Sequence, residues 1–315
     1  MNVCVIGATG LIGRHVVEAL SAAGECRVIA THRVRTPFEV PHVDWLPCDL
    51  NKKDEVARVL QDADVVVCCA GQLSTSAVLK QDPSRSVLGT LRIATNVLEA
   101  AARIRLRRLV LVSSCTGYPK LSRPAVEADF MQGDPSSQWF GVGWMHRYVE
   151  QQLRWYVEHL KLIESAVVLR PTLVFGPHDD FDVSTGHFVP AMIVQVVRRA
   201  QPIEIWGDGN QTRNLLHASD FARAVRRVLK PEGSCFEAYN VATEIDVSVN
   251  EVVRELVDID GFSDAKIVHL PARSGGPGAL QVSGAAFASA TGWKPRLGLR
   301  EGLTNALEWY RRGLI

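Results

Sequence analysis

No apolar run in this 315-residue chain is long enough to cross a bilayer; the longest, near Val65 to Gly71 and Leu109 to Val112, have the length of strands. No basic tract points to nucleic acid, and no acidic tail points to disorder. The seven cysteines (Cys4, Cys26, Cys48, Cys68, Cys69, Cys115, Cys235) include no CxxC pair and no zinc-ligand spacing. No metal site is therefore expected, and the cysteines read as reduced core thiols of a cytoplasmic protein. The first strand begins at Asn2, which leaves no room for a signal peptide. There is no internal repeat and no low-complexity segment. What remains is 47% hydrophobic and 22% charged with a net charge of +1, a composition that fits one large or two modest soluble domains.

The organising feature is Gly7-Ala8-Thr9-Gly10-Leu11-Ile12-Gly13. An apolar run from Asn2 to Ile6 feeds it, and from Leu11 to Ala23 apolar residues (Ile12, Val16, Val17, Leu20) recur at helical spacing. A strand running through glycines into a helix leaves backbone N–H groups free at the positive end of the helix dipole, which makes a pyrophosphate seat. The spacing is GxxGxxG rather than GxGxxG, so its meaning comes from the strand before it and the helix after it.

Arg27 to Thr31 reads as the second strand, whose end meets the adenosine ribose in a doubly wound fold. An acidic residue there would favour NAD. This chain has His32, Arg33 and Arg35, cations that suit a 2′-phosphate and point to NADP, with NAD as the alternative. After a short third strand (Val43 to Leu46) come Asp49, placed to contact the adenine amino group or to cap the next helix, and Leu50. The run Asp64 to Gly71 reads as a parallel strand covered on both faces, and the small Ala70 and Gly71 let a cofactor lie close to the backbone. A helix near Ser86 to Ala102 and a fifth strand, Arg108 to Val112, continue an alternation that requires a parallel sheet with ligands beyond its carboxyl ends. The fold class is thus α/β, a Rossmann doubly wound sheet, with a smaller C-terminal substrate-binding domain. The boundary is expected at 169/170, with segments near 215–229 returning to the first domain.

The glycine turn, Ser113-Ser114-Cys115-Thr116-Gly117-Tyr118-Pro119-Lys120, Arg170-Pro171, Gly176-Pro177, Gly207 to Arg213, His217 with Asp220, Tyr239-Asn240-Val241 and Gly292-Trp293-Lys294-Pro295 occur in order along nearly the whole chain. Together they resemble the extended short-chain dehydrogenase/reductase family that works on nucleotide sugars, the NAD-dependent epimerase/dehydratases. Gly176 to Phe181 followed by Gly186-His187-Phe188-Val189-Pro190 is most similar to the GDP-L-fucose synthase branch. The resemblance implies that Ser114 holds the reacting sugar oxygen with Thr116 as auxiliary hydroxyl. It also implies that a cysteine slot assisting epimerisation falls on Thr116 or, counting from the serine pair, on Cys115. Further implications are His187 as general acid, Pro171 at the cofactor, Arg213 on the substrate diphosphate with Arg273 as a second candidate, and a homodimer.

The chain departs from the family at its Tyr-x-x-x-Lys, a spacing that puts phenol and ammonium one helical turn apart so that the cation lowers the phenol pKa. The stretch Trp139 to Glu150 contains no such pair. One frame places Val142 and His146 in the two slots, another Phe140 and Trp144. His146 reads either as a ligand of the nicotinamide ribose that also moves protons or as a helix-surface residue. Asp179, Asp180 and Asp182 are either solvated loop charges or groups that tune His187. The expected function is an NAD(P)-dependent nucleotide-sugar epimerase, reductase or dehydratase with a non-standard acid–base site. The alternative is a protein that binds both nucleotides without turnover.

Overall fold

The computed structural model describes residues 1–71, 82–182, 186–230, 235–271 and 280–314. Its strands are β1 (Asn2–Ile6), β2 (Arg27–His32), β3 (Val43–Pro47), β4 (Val65–Cys68), β5 (Arg108–Val112), β6 (Ala166–Pro171), β7 (Leu173–Phe175), β8 (Ile203–Trp206), β9 (Thr212–His217), β10 (Phe236–Val241), β11 (Asp246–Ser248) and β12 (Ile267–Leu270). The α-helices among the described residues are α1 (Leu11–Ala23), α2 (Lys53–Leu60), α3 (Pro83–Arg103), α4 (Phe140–Glu158), α5 (Phe188–Val197), α6 (Ala218–Arg227), α7 (Val249–Asp260), α8 (Ala285–Thr291) and α9 (Leu299–Arg312).

Seven strands pair in the order β3-β2-β1-β4-β5-β6-β10, all parallel. Alternate residues of each strand serve opposite faces, and both faces are covered, which is why the strands read as unbroken apolar runs. On one face Cys4, Ile6, Val66, Leu109 and Val168 pack on Val59 of α2, Val97 of α3 and Leu153 of α4. On the other, Val3, Val5, Val67, Val110 and Val167 pack on Val17 of α1, Phe221 and Val225 of α6 and Phe287 of α8. Each such aliphatic side chain contributes roughly 1.5–3 kcal/mol by leaving water. The strand order reverses between β1 and β4, and ligands of open α/β sheets bind beyond the carboxyl ends at that point.

The second lobe has its own core, built from Phe175, Ile193, Ile205, Leu215, Val253, Leu303 and Leu307. Around it lie two small sheets, β11-β9-β7 and β12-β8. The lobes interleave more than a boundary at 169/170 allows. That point falls inside β6, which pairs with β5 in the main sheet. Besides α6, the strand β10 and the helix α8 also belong to the first lobe. Buried Asp220 ties the late segment down by accepting from the amides of Arg296 and Leu297, while Trp293 Nε1 donates to the Asp220 carbonyl. Hydrogen bonding of this kind, together with the apolar residues on α8, returns the chain to the first lobe after the second has begun. No helix among the described residues is long and apolar enough to cross a membrane.

Candidate active site

A cleft of about 2050 Å³ runs between the lobes along the carboxyl ends of the strands. That is about twice the roughly 300–1,000 Å³ of an ordinary ligand pocket. Its floor is the glycine turn. Gly7 has φ +77°, and a Cβ there would meet the Ala70 backbone at 3.0 Å. A Cβ at Gly13 would lie 2.2 Å from the Gly7 carbonyl, so this third glycine lets α1 sit against β1. The helix starts at Gly10 with no side-chain cap, which leaves its first amides to a ligand. Thr9, Leu11, Ile12, Ala70 and Gly71 complete this wall. The Gly7 amide donates to Thr31 Oγ1 at 3.2 Å, a brace on the turn that sequence reasoning missed. These observations fit a dinucleotide whose pyrophosphate lies on the α1 terminus.

At the ribose corner His32, Arg33 and Arg35 line the cleft. Arg35 donates to the Thr9 carbonyl at 3.2 Å. Arg33 lies 3.3 Å from Asp49, whose carboxylate also accepts from the Asn51 amide at 3.1 Å. Cys48, Leu50 and Asn51 are in the cleft wall and Asp49 is not, and the hydrogen bonds that Asp49 accepts from Asn51 and Arg33 all fall on Oδ1. Nor does it cap α2, which begins at Lys53 without a side-chain cap.

Where β5 leaves the sheet, Ser113, Ser114 and Thr116 enter the cleft. Ser114 Oγ accepts from the Thr116 amide at 3.2 Å and from Thr116 Oγ1 at 3.1 Å. A hydroxyl that accepts twice keeps its own proton for a ligand oxygen. Cys115 lies beside them but is buried, its Sγ donating to the Arg170 carbonyl at 3.4 Å. Cys115 also lines the cleft, and burial pushes its thiol up to about 12, which fits a packed thiol better than a proton carrier.

The helix α4 settles which frame faces the cleft. Val142, Met145, His146 and Val149 line it, whereas Phe140 and Trp144 are exposed on the other side. Val142 and His146, one helical turn apart, therefore both face the cleft. Behind them Ser113 Oγ donates to Glu150 Oε1 at 2.5 Å, and Arg170 donates to Glu150 Oε2 at 2.6 Å. The Ser113 proton is thus committed, and the 3.4 Å contact to His146 leaves Nδ1 of the imidazole as the donor. Burial lowers His146 to about 4, so it is neutral at pH 7 and presents Nε2 as an acceptor. Arg170 also donates to the buried Tyr118 hydroxyl, which in turn donates to Asn240 at 2.6 Å, so Tyr118 is structural. Sequence reasoning missed the roles of Ser113 and Glu150, which depend on contacts 37 and 20 residues apart in the chain.

The facing wall comes from the second lobe. His187 is the N-cap residue of α5, and its Nδ1 lies 3.7 Å from Asp179 Oδ1. Arg213, on β9, lines the same side, with Nη1 donating to the Thr212 carbonyl at 2.7 Å. Its burial lowers its pKa below the usual arginine value. Pro171 lies between the two walls at the end of β6. Arg273 lies outside the described residues.

A doubly wound sheet with an uncapped glycine turn at its switch point, roofed by a second lobe, is the arrangement of a dinucleotide-binding enzyme fold. The chain belongs to the NAD dependent epimerase/dehydratase family, whose profile matches residues 3–242. It is 27% identical to a probable GDP-L-fucose synthase 1 of Oryza sativa subsp. japonica, over 100% of this chain and 93% of that protein. It is 28% identical to dTDP-4-dehydro-6-deoxy-D-allose reductase of a Streptomyces species, over 98% and 96% of the two chains. Among solved structures, MoeE5 in complex with UDP-glucose and NAD superimposes with a TM-score of 0.84 at 26% identity, covering 100% of both chains.

Proposed function

We propose that this protein is an NAD(P)-dependent enzyme that reduces, epimerises or dehydrates a nucleotide-linked sugar, with His146 and His187 as its proton-moving groups. The observation that carries this reading is the single cleft. One wall offers a dinucleotide seat, and the other offers Arg213 and His187, with Ser114 and Thr116 between them. The relatives named above act on GDP- and dTDP-sugars, and MoeE5 was solved with a UDP-sugar and NAD.

When bound, the nicotinamide supplies or accepts hydride at the sugar carbon. The α1 amides hold the cofactor pyrophosphate, and Arg33 and Arg35 favour the 2′-phosphate of NADP. Arg213 binds the sugar nucleotide's diphosphate through a guanidinium whose fork matches phosphate oxygens. Ser114 donates its uncommitted proton to the sugar oxygen, and Thr116 fixes the orientation of that hydroxyl. His146 accepts a hydroxyl of the nicotinamide ribose or a proton at Nε2. His187 donates a proton from the opposite side. Two copies are proposed to pair through α3 and α4, where Leu88, Phe140, Trp144, Tyr148 and Trp155 are exposed.

A second reading, a binder of both nucleotides without turnover, is favoured by Val142, which has no proton to transfer. A panel of GDP-, dTDP- and UDP-sugars and their 4-keto forms, incubated with NADPH or NADH and followed by absorbance and sugar NMR, separates the two. Turnover of any member supports the enzyme. Tight cofactor binding with no turnover across the panel overturns it in favour of the binder.

A further inference from the structure

The loop before α5 carries three carboxylates, and the structure separates them. The Asp182 amide donates to Asp180 Oδ1 at 3.1 Å, and the Asp180 amide donates to Asp179 Oδ1 at 2.8 Å. Asp180 thus shapes the turn, and Asp182 is exposed at its end. Asp179 differs from both because its side chain is only 4% exposed. Its Oδ2 is buried with no donor, and Nδ1 of His187, also buried, has no acceptor. The two side chains face each other, with Nδ1 and Oδ1 3.7 Å apart. A buried ring nitrogen without a partner is costly, and a shift of less than an ångström would bring Nδ1 within hydrogen-bond distance of Oδ1. Catalytic hydrogen bonds are commonly long until a ligand tightens the site.

We infer that Asp179 is the positioning residue of His187: it takes the Nδ1–H, fixes the ring, and leaves Nε2 on the exposed side as the atom that exchanges protons with substrate. The inference rests on the reading of His187 as proton donor. In the donating step the Nε2–H bond of the imidazolium breaks, its electron pair stays on Nε2, and the proton goes to the substrate. The neutral ring that remains is the Nδ1–H tautomer, the one a carboxylate behind Nδ1 favours.

The test reads the tautomer directly. The full-length protein labelled with ¹⁵N-histidine is examined by long-range ¹H–¹⁵N correlation at pH 8, with His187→Asn assigning the ring. The expected parent signal is the Nδ1–H form. In Asp179→Leu no acceptor faces Nδ1, so the signal moves to the Nε2–H form, kcat falls about a hundredfold and KM stays within about twofold. Asp179→Glu restores the parent tautomer and part of kcat. A parent in the Nε2–H form, or an Asp179→Leu variant that keeps the parent tautomer and kcat, overturns the inference. The parent measurement alone decides if a variant does not fold. An Nδ1–H parent that turns over no sugar nucleotide supports the pairing and removes the catalytic reading, so the two fail separately.

Discussion

At the α1 end of the cleft the groups that face a ligand belong to the backbone, whereas at the α4 end they are side chains. A Cβ on Gly7 or Gly13 would lie only 3.0 Å from the Ala70 backbone or 2.2 Å from the Gly7 carbonyl, so the fold itself requires glycine there whatever the chemistry. Nothing comparable restrains Val142 and His146. Those two side chains look into the cleft, while the helix packs through Val149, Leu153 and Val157. The difference teaches that the glycine turn is fixed by backbone packing, whereas the α4 face of the cleft is set by the identity of its side chains.

The sharpest way to break the comparison is Gly13→Ala. The added methyl overlaps the Gly7 carbonyl, and the expected cost is on the order of 3 kcal/mol together with loss of cofactor binding. Thermal unfolding and NADPH titration check it, and an unchanged midpoint would show that the turn tolerates a side chain. The converse experiment rebuilds the other end. Val142→Tyr with His146→Lys places the family pair on the cleft face and is expected to raise turnover about tenfold or more. Phe140→Tyr with Trp144→Lys, on the outer face, should gain nothing, and a gain there would reverse the frame.

A smaller effect lies in acid. Burial holds His146 and His217 neutral, each lowered from 6.5 to about 4. Between those values the unfolded chain binds more protons than the folded one. Their effect on stability is absent above about pH 6.5 and grows as the pH falls toward 4, at about 1 kcal/mol per histidine per pH unit. Urea unfolding at pH 7.5 and 5.5 reads it, and identical midpoints would contradict it. The smallest expected change is at the ribose corner. Arg33→Ala should weaken NADPH binding about tenfold and leave NADH binding unaltered. Equal losses for both cofactors would show that Arg33 does not read the 2′-phosphate.

Much of the fold was legible because its signals are local. The apolar spacing from Leu11 to Ala23 gives α1 to the residue, and Arg108 to Val112 agrees equally well with β5. The interleaving of lobes was less legible, since β10 joins the sheet through β6, a partner about 70 residues earlier in the chain, roughly the separation of their paired residues. The frame of α4 was not legible at all. That helix carries apolar residues on its buried side and aromatics (Phe140, Trp144, Tyr148, Trp155) on its exposed side, so periodicity alone does not say which face looks inward. The difference between Asp179 and its neighbours is likewise one of burial, which three acidic residues in a loop do not announce.

Arg147 lies one position beyond His146 on α4 and is fully buried. Its guanidinium donates to the carbonyls of Gly117, Gly133 and Gln132 at 2.8, 2.6 and 3.0 Å. Swinging residues 117–133 outward would strand those donors in the interior, so that segment and α4 form one rigid jaw. A cleft with one fixed jaw takes up differences in ligand size at the other, and here that other jaw carries Asp179, His187 and Arg213.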